Sequence, residues 1–124
     1  MLRLELDSAP AVVGTARRRA SEEVRTVVPD LVGVDDLVDD VALVVSELVT
    51  NAIVHGVPPV TLEVTVDPRP SGCVVTVVCC DSGPWDGSPP EPIRGRGLIL
   101  VRALADASIA ADETGTRVSA TLHR

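Results

Sequence analysis

Residues 41 to 56 read V-A-L-V-V-S-E-L-V-T-N-A-I-V-H-G, a nearly apolar stretch that carries Glu47, Asn51 and His55 at intervals of four. At 3.6 residues per turn, each step of four advances only about 40° around a helix. The three polar side chains therefore form one narrow stripe, with Val44, Val45, Leu48, Val49, Ala52 and Ile53 covering much of the rest. Such a stripe suits an ordinary amphipathic helix whose polar side meets water. It also suits a metal–phosphate site. A carboxylate takes a proton or orients water, and an amide oxygen ligates Mg²⁺, a hard cation that prefers oxygen. The helix alone does not decide between the two.

A chain of 124 residues is expected to form one domain, residues 1 to 124, large enough to bury a substantial core. Phe and Tyr are absent, so Val, Leu, Ile and Ala have to build that core. The net charge of −7 argues against nucleic acid, which needs a basic footprint, and a lone Trp leaves little for bases to stack on. All 11 basic residues are Arg. Without Lys there is no Schiff-base chemistry and no phosphate loop ending in Lys, so a phosphate site must rest on glycine backbone, Arg and metal. Cys73, Cys79 and Cys80 lack metal-ligand spacing and read as small buried thiols of a reducing cytosol. M-L-R-L-E-L-D is no signal peptide, and no apolar run approaches a membrane span. The expectation is a cytoplasmic protein with no membrane and no nucleic acid among its partners.

Taken in order, residues 2 to 6 alternate as a short strand. Asp7 and Ser8 are placed to cap a helix from Ala11 to Val28 that Pro29 and Gly33 end. Its Arg17, Arg18 and Arg19 read as a solvated face in preference to a phosphate site. Asp35 and Asp36 start the organising helix, which Gly56 terminates. V-T-L-E-V-T-V-D, residues 60 to 67, is an alternating strand with Thr61, Glu63 and Thr65 on one face. P-R-P-S-G turns it into C-V-V-T-V-V-C-C, an apolar run expected to be central in a sheet and buried on both faces. Residues 81 to 97 hold four Pro and four Gly, too many for regular structure, and loops of that length are usually functional. A helix starting near Gly97 and a last hairpin turning at Glu113 to Gly115 complete the chain. The fold expected is an α/β two-layer sandwich (α+β in arrangement), a mostly antiparallel mixed sheet with three helices on one face.

Four pieces then bear on one another. Asp81 stands at the end of the buried strand, where a carboxylate can accept a hydrogen bond from a ligand amino group, although D-S-G-P is also an ordinary turn. Gly83 permits close backbone approach. Gly95 and Gly97 precede a helix, an arrangement that binds anions or merely enters the helix. Gly115 and Thr116 fall at the last hairpin.

In that order E-x-x-x-N-A with a following His, D-x-G, G-R-G-L and G-T resemble the histidine-kinase-type ATPase domain, the Bergerat ATP-binding fold. S-E-L-V-T-N-A-I-V-H-G and G-R-G-L-I-L-V-R-A-L-A-D are most similar to its small stand-alone branch, the anti-sigma-factor serine/threonine kinases. The resemblance runs from about Ala11 to Leu122 and implies ATP and Mg²⁺ as ligands. It implies that Asn51 ligates Mg²⁺ between the phosphates, and that Glu47 is the base receiving a proton from the attacking hydroxyl. Asp81 would bind the exocyclic amino group of adenine, with Thr116 assisting through water and Gly83 admitting the ring. Gly95 and Gly97 would cradle phosphates, with Arg94 or Arg96 as charge partners, and His55 would face the nucleotide or a partner. The protein partners implied are a sigma factor and its anti-sigma antagonist, with a homodimer left open. One position departs from the family's D-x-G-x-G: Trp85 stands where the second Gly is usual.

Overall fold

The computed structural model describes residues 1–83 and 99–124. Strand β1 (Leu2–Leu6) leads to helices α1 (Ala11–Val27) and α2 (Val34–His55), then to strands β2 (Val60–Arg69) and β3 (Gly72–Asp81). Residues 99–104 are helical (α3), and strands β4 (Asp106–Asp112) and β5 (Gly115–His123) follow.

Helix α2 forms against its local preferences. Seven of its 22 residues are Val, and each β-branched residue costs up to about 0.7 kcal/mol relative to Ala in a helix. Burial outweighs that cost. Val41, Val44, Val45 and Val49 are fully buried and Leu37 and Leu48 nearly so, and each such side chain contributes about 1.5–3 kcal/mol on leaving water. Tertiary packing therefore specifies the helix. The left-handed Gly33 (φ 80°) precedes it, Asp35 and Asp36 occupy its first turn, and Gly56 N closes it on Ala52 O at 2.9 Å.

The sheet order is β1-β2-β3-β5-β4, and all four pairings are antiparallel. The chain leaves β3, returns through α3 to lay down β4, and then inserts β5 between them. Leu62, Val64, Val75, Val77, Ala120 and Leu122 share one face and are fully buried. The buried side chains of α1 and α2 join them in one core, together with Val101 of α3. The expected two-layer architecture is present, with helices on one face.

β3 is central as expected, but only its helix-facing residues are fully enclosed. On the other face Val74, Thr76 and Cys80 are half-buried, and Val78 alone is buried at 8% exposure. Among the described residues the helices pack on the opposite face, and neighbouring strands flank this one, through pairs such as Thr76 with Thr65 and Thr121. An apolar run thus arose in a one-sided sheet.

At the start of α1 the expected capping is replaced. Asp7 Oδ1 accepts from Ala9 N at 2.9 Å, so this side chain shapes the preceding turn, and Pro10 caps the helix with no side-chain bond. Arg17, Arg18 and Arg19 are exposed, in keeping with a solvated face. Among the described residues, no helix is long and apolar enough to cross a membrane.

Candidate functional site

Asp81 ends β3 on the helix-covered side of the sheet, in register with Thr116 of β5. Its half-buried carboxylate is held through one oxygen. Oδ1 accepts from Gly83 N at 2.8 Å and, more loosely, from Val57 N at 3.4 Å. Oδ2 accepts no hydrogen bond among the described residues. A carboxylate has about four acceptor positions, so this one keeps capacity for a donor brought by a ligand.

The backbone comes close to Asp81 on three sides. A Cβ at Gly56 would lie 2.5 Å from Asp81 Cγ, 2.7 Å from Oδ2 and 2.5 Å from Ala52 O. A Cβ at Gly83 would lie 3.0 Å from Asp81 Oδ1, and one at Gly115 would lie 2.5 Å from Asp81 O. Gly56 is therefore more than a helix stop: its missing side chain is the space the Asp81 carboxylate fills. Sequence reasoning missed this, because a glycine after a helix already has a sufficient explanation. Gly56→Ala is expected to cost about 1–3 kcal/mol, as overpacking against backbone does. A melting point equal to that of the unmodified protein would refute the contact.

Thr116 Oγ1 donates to Gly83 O at 3.1 Å. Its hydroxyl proton is thus committed to the Asp81–Gly83 turn, and toward a water it serves as acceptor. From the opposite side, Ser82 N donates to Val57 O at 2.8 Å and Ser82 Oγ to Pro59 O at 3.3 Å. A recess of about 330 Å³ opens at this end of the sheet, lined by Cys80, Asp81, Ala111, Gly115, Thr116 and Arg117.

Glu47, Asn51 and His55 all lie on α2, successive members about 6 Å apart along the axis. Glu47 and Asn51 are half-buried, and their side chains make no hydrogen bond or ion pair among the described residues. His55 is exposed and ends the helix, immediately before the glycine that meets Asp81. The stripe thus runs toward the carboxylate. Trp85, Arg94, Gly95, Arg96 and Gly97 lie outside the described residues.

The three cysteines are free. Burial pushes the Cys79 thiol up to about 12, with Cys80 and Asp81 adding to the rise. Burial also raises Cys73, against the opposing charge of Arg124. Both are neutral packing groups near neutral pH, as their setting in an apolar run implied.

No group of three or more His, Cys, Asp or Glu side chains converges on a cation position among the described residues. That donor set is wrong for a cage made of protein alone. It fits Mg²⁺ carried on phosphate oxygens and water, which needs only one or two protein oxygens. The amide of Asn51 has no partner among the described residues and is free to act as one.

The model of the histidine kinase-like ATPase domain family matches residues 6–122. The chain belongs to that family. Among solved structures it is similar to the histidine kinase domain of a blue-light activated histidine kinase from Erythrobacter litoralis EL346, with a TM-score of 0.53 and 19% identity. The match covers 89% of this chain and 64% of that one, so the chain spans less than two thirds of that relative. At this identity the likeness is one of fold. No curated protein matches the chain. Family membership makes ATP the expected ligand class and regulation through ATP binding the coarse function.

Proposed function

We propose that this domain binds Mg-ATP and transfers the γ-phosphoryl group to a serine or threonine of a small anti-sigma antagonist, and that it sequesters a sigma factor in the cytoplasm. The supporting observation is the pair on α2. Glu47 and Asn51 are half-buried without partners among the described residues, on the helix whose end meets Asp81. A bound nucleotide, with its metal and the acceptor hydroxyl, would supply partners to both side chains.

In this mechanism Asp81 Oδ2 accepts a hydrogen bond from the exocyclic amino group of adenine. Gly83 lets the ring approach, and Thr116 assists through a water. Asn51 would offer its amide oxygen to magnesium, which neutralises phosphate charge when bound. Gly95 and Gly97 would cradle the phosphates, with Arg94 or Arg96 pairing their charge and His55 facing the nucleotide or partner. Glu47 takes the proton of the attacking hydroxyl as its oxygen bonds to the γ-phosphorus. The bond from that phosphorus to the β,γ-bridging oxygen breaks, and ADP leaves. Phosphoryl transfer of this kind is mostly positioning and charge neutralisation.

The second reading is a non-catalytic ATP-binding or interaction module that regulates a partner by binding alone. Trp85, in place of the family's second Gly, is the feature that favours it. The two are separated by melting curves with Mg-ATP followed by a radiolabel transfer assay. At a hundredfold excess over Kd, a ligand adds about 2.7 kcal/mol, a rise of several degrees for a domain of this size. No shift at millimolar nucleotide, with the protein shown to be folded, would sink the ATP assignment and leave only an interaction module; a shift without transfer to any candidate antagonist would favour the ATP-binding module.

A further inference from the structure

The turn that carries Asp81 is fastened to the segment leaving α2. Val57 N reaches Asp81 Oδ1 at 3.4 Å, while Val57 O and Pro59 O accept from Ser82 N and Ser82 Oγ at 2.8 and 3.3 Å. A carboxylate rotates broadly about its last torsion, so something must choose which oxygen is offered to a ligand. Gly83 N belongs to the same turn and moves with it. Val57 N comes from another segment and refers the carboxylate to α2. At 3.4 Å that bond is long; it contributes more to orientation than to stability. The Ser82 bonds keep Val57 within reach.

We infer that Val57 and Ser82 are positioning residues that present Asp81 Oδ2 to an amino group on a purine base, and so set discrimination between aminated and unaminated purine nucleotides. The inference rests on the reading of Asp81 as the base-binding carboxylate. Neither residue needs to touch the ligand. Val57 acts through its main-chain N–H, which no side-chain pattern in the sequence marks.

The test compares ATP with purine riboside triphosphate, which lacks only the 6-amino group, by calorimetric titration. Val57→Pro deletes the N–H, and Gly56 is already extended (φ −91°, ψ −173°), as the residue before a proline tends to be. Ser82→Ala removes the bond to Pro59 O, and Ser82→Thr retains it. Val57→Pro is expected to weaken ATP about tenfold and Ser82→Ala about threefold, within the range for one hydrogen bond. Purine riboside triphosphate should bind unchanged, and Ser82→Thr should restore the preference. Equal weakening of both ligands would mean a merely structural role and overturn the inference, as would no change in either. If Val57→Pro is unfolded by circular dichroism, the Ser82 pair decides alone. An unmodified protein that binds both ligands equally, or neither, would instead remove the reading of Asp81 itself.

Discussion

Glu47→Ala is expected to slow phosphoryl transfer by about 10²–10⁴-fold, the usual contribution of a positioned base, while ATP affinity stays within a few fold. Glu47 is half-buried and makes no ion pair or hydrogen bond among the described residues. Removing it therefore breaks no hydrogen bond or ion pair among the described residues, and a folding defect is not the anticipated cause of lost activity. Asn51, one turn further along α2, gives the contrasting result. Asn51→Ala should weaken binding in the presence of magnesium and leave magnesium-free binding little changed. Single-turnover transfer with labelled ATP, read beside binding isotherms with and without the metal, resolves the two roles. Transfer by Glu47→Ala at the unmodified rate would show that the proton goes elsewhere and strengthen the module reading.

Asp81→Asn should leave the protein folded and reduce ATP affinity by about 10- to 100-fold, the equivalent of one hydrogen bond to a charged acceptor. The amide oxygen can still accept from Gly83 N and Val57 N, the two donors that hold Oδ1. The amide NH₂ would then occupy the position of Oδ2 and present donors to an amino group that also donates. Loss is expected for ATP and not for purine riboside triphosphate. A variant that melts normally and binds ATP as tightly as the unmodified protein would show that the base is read by other groups.

Much of the fold was legible because burial imposes a period. The alternation of V-T-L-E-V-T-V-D places Leu62 and Val64 inward and Glu63 and Thr65 outward, and the fourfold spacing of Glu47, Asn51 and His55 appears as one stripe on α2. Strand order was not legible. β3 pairs with β5 across a long stretch of chain, through contacts such as Val77 with Ala120, and no local pattern specifies which apolar strands become neighbours. The apolar character of Val74 and Val78 suggested burial on both faces of the strand, whereas Val74 is half-buried and flanked by adjacent strands. At the site, Asp81 and Gly83 were identifiable from residue type and order. Gly56 and Val57 were not, because they act through an absent side chain and a main-chain N–H, and Ser82 was not, because its hydroxyl meets a main-chain oxygen of another segment. The roles expected of Arg94, Gly95, Arg96 and Gly97 fall outside the described residues and stand as proposals.

The core has an optical consequence. Its residues are Val, Leu, Ala and Cys, without one aromatic ring among those described, and the whole sequence has no Tyr, no Phe and a single Trp. Among the described residues, therefore, no side chain of the interior reports on its packing through near-ultraviolet dichroism or intrinsic emission. Peptide dichroism and heat capacity follow the unfolding of the described residues directly. Conversely, every photon emitted above 300 nm comes from Trp85, four positions beyond Asp81 in the sequence, so the unlabelled protein reports on one residue against a dark background.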